Sequence, residues 1–194
     1  MKAKFAEMSS YTAYAAGITS LAYAYFFVFA KDVTISSLFL LITGLLATEV
    51  FIALFAKLKD VDEDFARIVM ILGIFGSMGA AIHAGYDLAN AINPPAVVNA
   101  DLPNQVDPRG LLAFGVTGLA VLKASWLMTK SNFFPKNLAM LGFVSGALLV
   151  LIYVARLTIL NPAHPTLLYP VLLEGFIVAP AWYLWLGSVL KKNG

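Results

Sequence analysis

Six apolar runs, at about 9–30, 33–58, 65–92, 110–130, 137–160 and 166–190, take up most of this 194-residue chain. A bilayer core about 30 Å thick is crossed by about 20 helical residues, and every run reaches that length. The pattern predicts an all-α integral membrane protein, a six-helix bundle forming one transmembrane domain over 1–194. Charged residues make up only 12% of the chain, where a soluble domain carries about 25%. The first run, behind Lys2 and Lys4, ends in Val28-Phe29-Ala30, which would pass as a signal-cleavage triplet. Its apolar stretch of about 22 residues exceeds the 7–15 of a signal core, so a retained anchor is expected.

Basic residues orient the bundle. With the N-terminus in the cytoplasm, Lys2, Lys4, Lys57, Lys59, Arg67, Lys130, Lys136, Lys191 and Lys192 fall inside, and only Lys31 and Arg109 fall outside. That bias predicts a cell-membrane protein with both termini cytoplasmic. Trp126, Trp182 and Trp185 then form an aromatic belt at the inner interface. A net charge of +2 with no basic stripe excludes nucleic acid as a partner. The absence of cysteine excludes disulfides, thiolate catalysis and cysteine metal sites.

One connection is long. Residues 93–109 carry four prolines and two aspartates, a composition that favours a stiff extended path. It reads either as a spacer between helices that are not adjacent or as a lid over an outward-facing cavity. Asp101, Asn104 and Asp107 lack the ligand spacing of a calcium loop, so no cation site is expected there. Small residues recur every four positions at Gly73, Ser77, Ala81 and Gly85, and again at Gly142 and Gly146. Such ridges let helices approach closely in lipid. They are expected to make the third helix central and to offer faces for a membrane-protein partner or a second copy. Pro180 should kink the sixth helix.

Ionisable residues inside the runs are the main functional clue. Glu49, His83, Asp87, Lys123, Arg156 and Glu174 would each cost about 2.5–3.5 kcal/mol facing lipid, so they should turn inward and pair. Glu49 and Lys123 lie at similar distances from the inner ends of their helices and predict an interhelical ion pair. Thr43-Gly44-Leu45 before Glu49 is echoed by Thr117-Gly118-Leu119 before Lys123, a match too short to establish duplication. In the outer half, His83 and Asp87 share a helix face. Arg156 and Glu174 are expected at the same depth, with Arg156 contacting a carboxylate and Tyr86, Tyr153, Tyr169 and His164 close by.

Three chemistries fit this outer group unequally. A zinc hydrolase needs three ligands and an open position; His83, Asp87, His164 and Glu174 supply the number without any recognised spacing. A two-histidine haem site would have to use surface His164. A polar binding or translocation cavity fits better. The competing account is that the charges only fix helix packing. The expected function is a small multi-pass binding or accessory subunit with a polar pocket in its outer half and no cofactor. A transporter for a small polar or anionic solute or protons comes second, and a membrane-embedded metal hydrolase third.

From residue 112 onward, Phe114-Gly115, Lys130-Ser131, Pro135 and Leu141-Gly142 follow one another through two helices and their turn. Glu174 and Trp185-Leu186-Gly187 then mark the last helix. In these features the final 80 or so residues, and more loosely the second and third runs, resemble a family of bacterial six-helix membrane proteins, the 4386 type of domain of unknown function. The resemblance implies a six-helix bundle and carries no catalytic residues.

Overall fold

The computed structural model describes residues 3–96 and 104–192. Six helices form: α1 (Lys4–Ala30), α2 (Val33–Leu58), α3 (Glu63–Ile92), α4 (Pro108–Lys130), α5 (Lys136–Thr158) and α6 (Pro165–Lys192). Each is long and apolar enough to cross a membrane, and there is no strand among the described residues. Local chemistry sets the boundaries. Asp32 and Asp62 each accept a hydrogen bond from the N–H three residues on, at 2.9 Å, and so cap α2 and α3. Lys31, at φ 53°, turns the chain sharply from α1 into α2. At the α4–α5 turn the Ser131 hydroxyl accepts the Phe133 N–H at 3.0 Å, and Pro135 starts α5.

Each helix packs antiparallel on its sequence neighbours, and α6 packs on α1, so the six close into a ring. α1 begins and α6 ends at one end, beside the turns after Leu58 and Lys130, called here the terminal end. Ala30, Ile92 and Thr158 lie at the other, the loop end.

Glycine seams bring the walls together. A Cβ at Gly44 would sit 2.6 Å from the Ser77 carbonyl oxygen and 2.7 Å from the Ala81 nitrogen, closing α2 on α3. Gly118 and Gly146 are matched across α4 and α5, where a Cβ on either would lie 2.8 Å from the other's carbonyl oxygen. Gly73 faces Phe51 of α2, and Gly85 also faces α2 through Leu41. The small-residue ridges expected to recruit a partner are therefore taken up inside the chain.

Large side chains fill the terminal half of the ring. Phe51, Leu54, Leu58, Leu127, Met128, Leu138, Leu186 and Leu190 are fully buried there in one continuous core. Trp126 and Trp185 are partly exposed near this end, but Trp182 is buried in that core rather than lying in an aromatic belt.

Near the loop end three helices widen into π turns, at Phe26–Ala30, Leu111–Val116 and Glu174–Val178. The last of these stands where the sequence places a kink. Pro180 lacks an N–H and its ring crowds the carbonyl four residues back. The turn just before it opens so that the Ala179 N–H bonds the Glu174 carbonyl.

Gly44→Leu should lower stability by about 1–3 kcal/mol, since the seam has no room to relax. Gly85→Leu, whose nearest neighbour is 3.7 Å away, is the control. Thermal melts in detergent that show equal losses for the two variants would contradict the seam.

Candidate functional site

The ring encloses a cavity of about 160 Å³ in its loop half, lined by residues of all six helices. The reason is side-chain size. Small inward side chains gather here, Ser20, Ala24, Gly44, Ala47, Ser77, Ala80 and Ala113, interspersed with larger ones such as Tyr23 and Leu149, whereas phenylalanine, leucines and methionine fill the terminal half. No lining residue lies nearer the terminal end than Ala47 on α2, Val121 on α4 or Tyr183 on α6. Phe27, 47% exposed, is the most open of the described lining residues, and it sits at the loop end.

All three π turns reach this wall, through Phe27 and Val28, Ala113 and Phe114, and Glu174 and Gly175. A π turn carries an extra residue per turn and re-aims the side chains around it, a device frequent at functional sites.

Two ionisable residues line the pocket. Glu174 is 5% exposed, and its Oε1 accepts a hydrogen bond from the Ser145 hydroxyl at 2.6 Å. Its Oε2 is enclosed with no hydrogen-bond partner among the described residues, and the same holds for Ser77 Oγ on the facing wall. Arg156, half-buried on α5, stands over the Phe114 ring at 5.3 Å. Among the described residues it has no carboxylate within ion-pair distance, so the contact with Asp87 or Glu174 expected from the sequence is not made. Depth explains the difference for Glu174, which lies toward the middle of the pocket, beside Ser145, whereas Arg156 sits about three turns further along α5.

His83 and Asp87 belong to a second cluster outside the pocket lining. His83 Nε2 lies 3.3 Å from Asp87 Oδ2, and its Nδ1 lies 3.2 Å from Asp107 Oδ2. Asn104 completes the group. Its amide donates to the His83 carbonyl at 3.0 Å and to Asp87 Oδ1 at 2.9 Å, and its Oδ1 accepts from the Asp107 N–H at 3.0 Å. Asp107 in turn accepts the N–H groups of Leu112 at 2.8 Å and Ala113 at 3.1 Å, capping α4. The chain reaches that position through Arg109 and Gly110, both at positive φ.

The cluster is a clasp that fastens the end of the long connection to α3. Both His83 nitrogens face carboxylates. Among the described residues no group of three His, Asp or Glu side chains is placed to hold one. Sequence reasoning set Asn104 and Asp107 aside with the calcium reading; the tie across 24 residues from His83 to Asp107 has no local signature. Asp101 lies outside the described residues.

The other expected members do not join. Tyr153 packs against Gly115, beside the π turn of α4. His164 is exposed and caps α6, its Nδ1 accepting the Thr166 N–H at 3.3 Å, and Tyr169 is 67% exposed. Glu49 and Lys123 are not an ion pair. Their helices scarcely touch, because α3 lies between them in the ring. The Lys123 ammonium sits 5.0 Å from the centre of the Phe65 ring on α3, while Glu49 Oε1 is enclosed without a hydrogen-bond partner among the described residues. Depth along a helix does not establish which helices are adjacent.

Compared with protein-family models, with curated proteins and with solved structures, the chain matches none.

Asp107 titration tests the clasp. Burial alone would raise its pKa, but the hydrogen bonds from His83, Leu112 and Ala113 outweigh burial and hold the carboxyl below the usual carboxylate range. Its ionised form therefore stabilises the fold above the ordinary value of about 4, and that contribution fades as pH falls through the lower folded value. Asp107→Asn should melt below the wild type at neutral pH, with the gap closing as the solution is acidified. A gap that stays constant with pH would remove Asp107 from this role.

Proposed function

We propose that this is a multi-pass membrane protein that binds a small molecule in a pocket between its helices. One observation carries the reading: the pocket holds a buried carboxyl with an unpartnered oxygen, Glu174 Oε2, facing a wall with a second, Ser77 Oγ. A buried polar group without a partner costs about 1–3 kcal/mol, and a ligand that bonds to it returns that energy as affinity. An accessory subunit that carries such a ligand agrees with this architecture. The transporter reading requires the packed core from Phe51 to Leu190 to part, so that the pocket meets the terminal end.

The bundle is proposed to lie in the cell membrane with both termini cytoplasmic, on the strength of the basic residues gathered at the terminal end. Kinship with the bacterial six-helix family is part of the same proposal. It rests on the sequence features shared over the last 80 or so residues, among them Phe114-Gly115 and Glu174.

Two measurements address this. In native mass spectrometry, protein from nanodiscs should carry a small-molecule adduct that is missing from Leu149→Trp, a variant that fills the cavity. Bare protein in both samples would reject the binding reading. The chain has no cysteine, so single sites report cleanly. On intact cells an impermeant maleimide should label Ala163→Cys but reach Asp60→Cys only after permeabilisation; the reverse pattern would invert the orientation.

A further inference from the structure

The pocket's two poles differ in kind, and they define the ligand more closely than the cavity alone does. This inference rests on the binding reading above. At the loop end stands the Arg156 guanidinium, five N–H donors in a planar fork that matches a carboxylate. It rests on the face of Phe114 and has no carboxylate within ion-pair distance among the described residues. Further in, beyond the apolar walls of Leu149 and Ile152, lie Glu174 Oε2 and Ser77 Oγ. The pocket they line has a volume of about 160 Å³. A protein cavity of about 150 Å³ takes up a benzene molecule, so the body of the ligand is of that size.

We propose that the ligand is a small carboxylate with an apolar body and a hydroxyl or carbonyl at its far end. The carboxylate meets Arg156, the body lies against Leu149 and Ile152, and the far oxygen bonds to Glu174. The assignment neutralises an intramembrane guanidinium that has no counter-ion within ion-pair distance among the described residues. The unpartnered polar atoms on the wall are Glu174 Oε2, Ser77 Oγ and the Trp182 indole N–H. A hydroxyl or carbonyl uses acceptors and donors of these kinds.

Three probes of one shape test it: 4-hydroxyphenylacetate, its neutral amide 4-hydroxyphenylacetamide, and phenylacetate. Calorimetry on the full chain in nanodiscs gives each affinity, with Leu149→Trp as the blank for partition into lipid. The hydroxy acid should bind about tenfold or more tightly than its amide, the range of a charge-assisted hydrogen bond, and Arg156→Gln should erase the difference. Phenylacetate should bind more weakly than the hydroxy acid, and Glu174→Leu should erase that second difference. The acid–amide comparison needs only the wild-type chain, so it stands whatever the stability of the variants. Equal affinities for acid and amide, both lost in Leu149→Trp, would overturn the carboxylate and leave the pocket as a binding site. Equal affinities for phenylacetate and the hydroxy acid would overturn the far oxygen. If no probe separates the wild type from Leu149→Trp, the binding reading falls with the ligand.

Discussion

Backbone-to-backbone approach at the glycine seams is the constraint on which the rest of this molecule depends. Helices packed at 8–10 Å in a ring of six surround an axis wide enough to need filling. At Gly44 against Ser77 and Ala81, and at Gly118 against Gly146, the walls draw in as far as main chains allow. What then decides between solid and hollow is the size of the inward side chains. Phenylalanine, leucine and methionine make the terminal half solid; alanine, serine and glycine leave the loop half hollow. One ring, closed by one kind of contact, thus yields an anchor at one end and a receptacle at the other.

The clasp serves the receptacle indirectly. Asp107 receives the N–H groups of Leu112 and Ala113, which open the π turn carrying Phe114. Phe114 is the surface on which Arg156 rests. A carboxylate in the connection is therefore linked, through one widened turn and one aromatic face, to the cation at the loop end of the pocket. His83 and Asn104 hold that carboxylate in place, so the polar residues divide into a group that positions and a group that faces the ligand space.

Much of this was legible in the sequence, and the remainder was hidden for physical reasons. Six helices followed from run length alone, because apolar spans announce themselves by composition. Glu174 could be singled out because an ionisable residue deep in such a run needs a reason to be there. The Glu49–Lys123 pairing failed on neighbourhood, since depth along a helix says nothing about which helices touch. Arg156 was expected to seek a carboxylate and instead lies over an aromatic ring, an alternative open to any guanidinium. Asn104 and Asp107 were invisible as site residues because their partners lie on α3, across a proline-rich connection with no periodic signal. The ridges at Gly73 and Gly146 were recognised correctly as contact surfaces, but the sequence could not say that the contacts lie within the same chain.

The π turns have a consequence for how the chain tolerates change. Each holds one residue more than an α-helical path would need, and each contributes residues to the pocket wall. Removing a single residue from 111–116 or 174–178 can return that stretch to ordinary helical winding while the segment beyond keeps its phase on its neighbours. The terminal-half core would hardly register the loss, whereas the side chains presented to the pocket would rotate by about a quarter turn or more. Single-residue insertions and deletions at these places are thus a means by which relatives of this chain could reshape what they hold without rebuilding what holds them together.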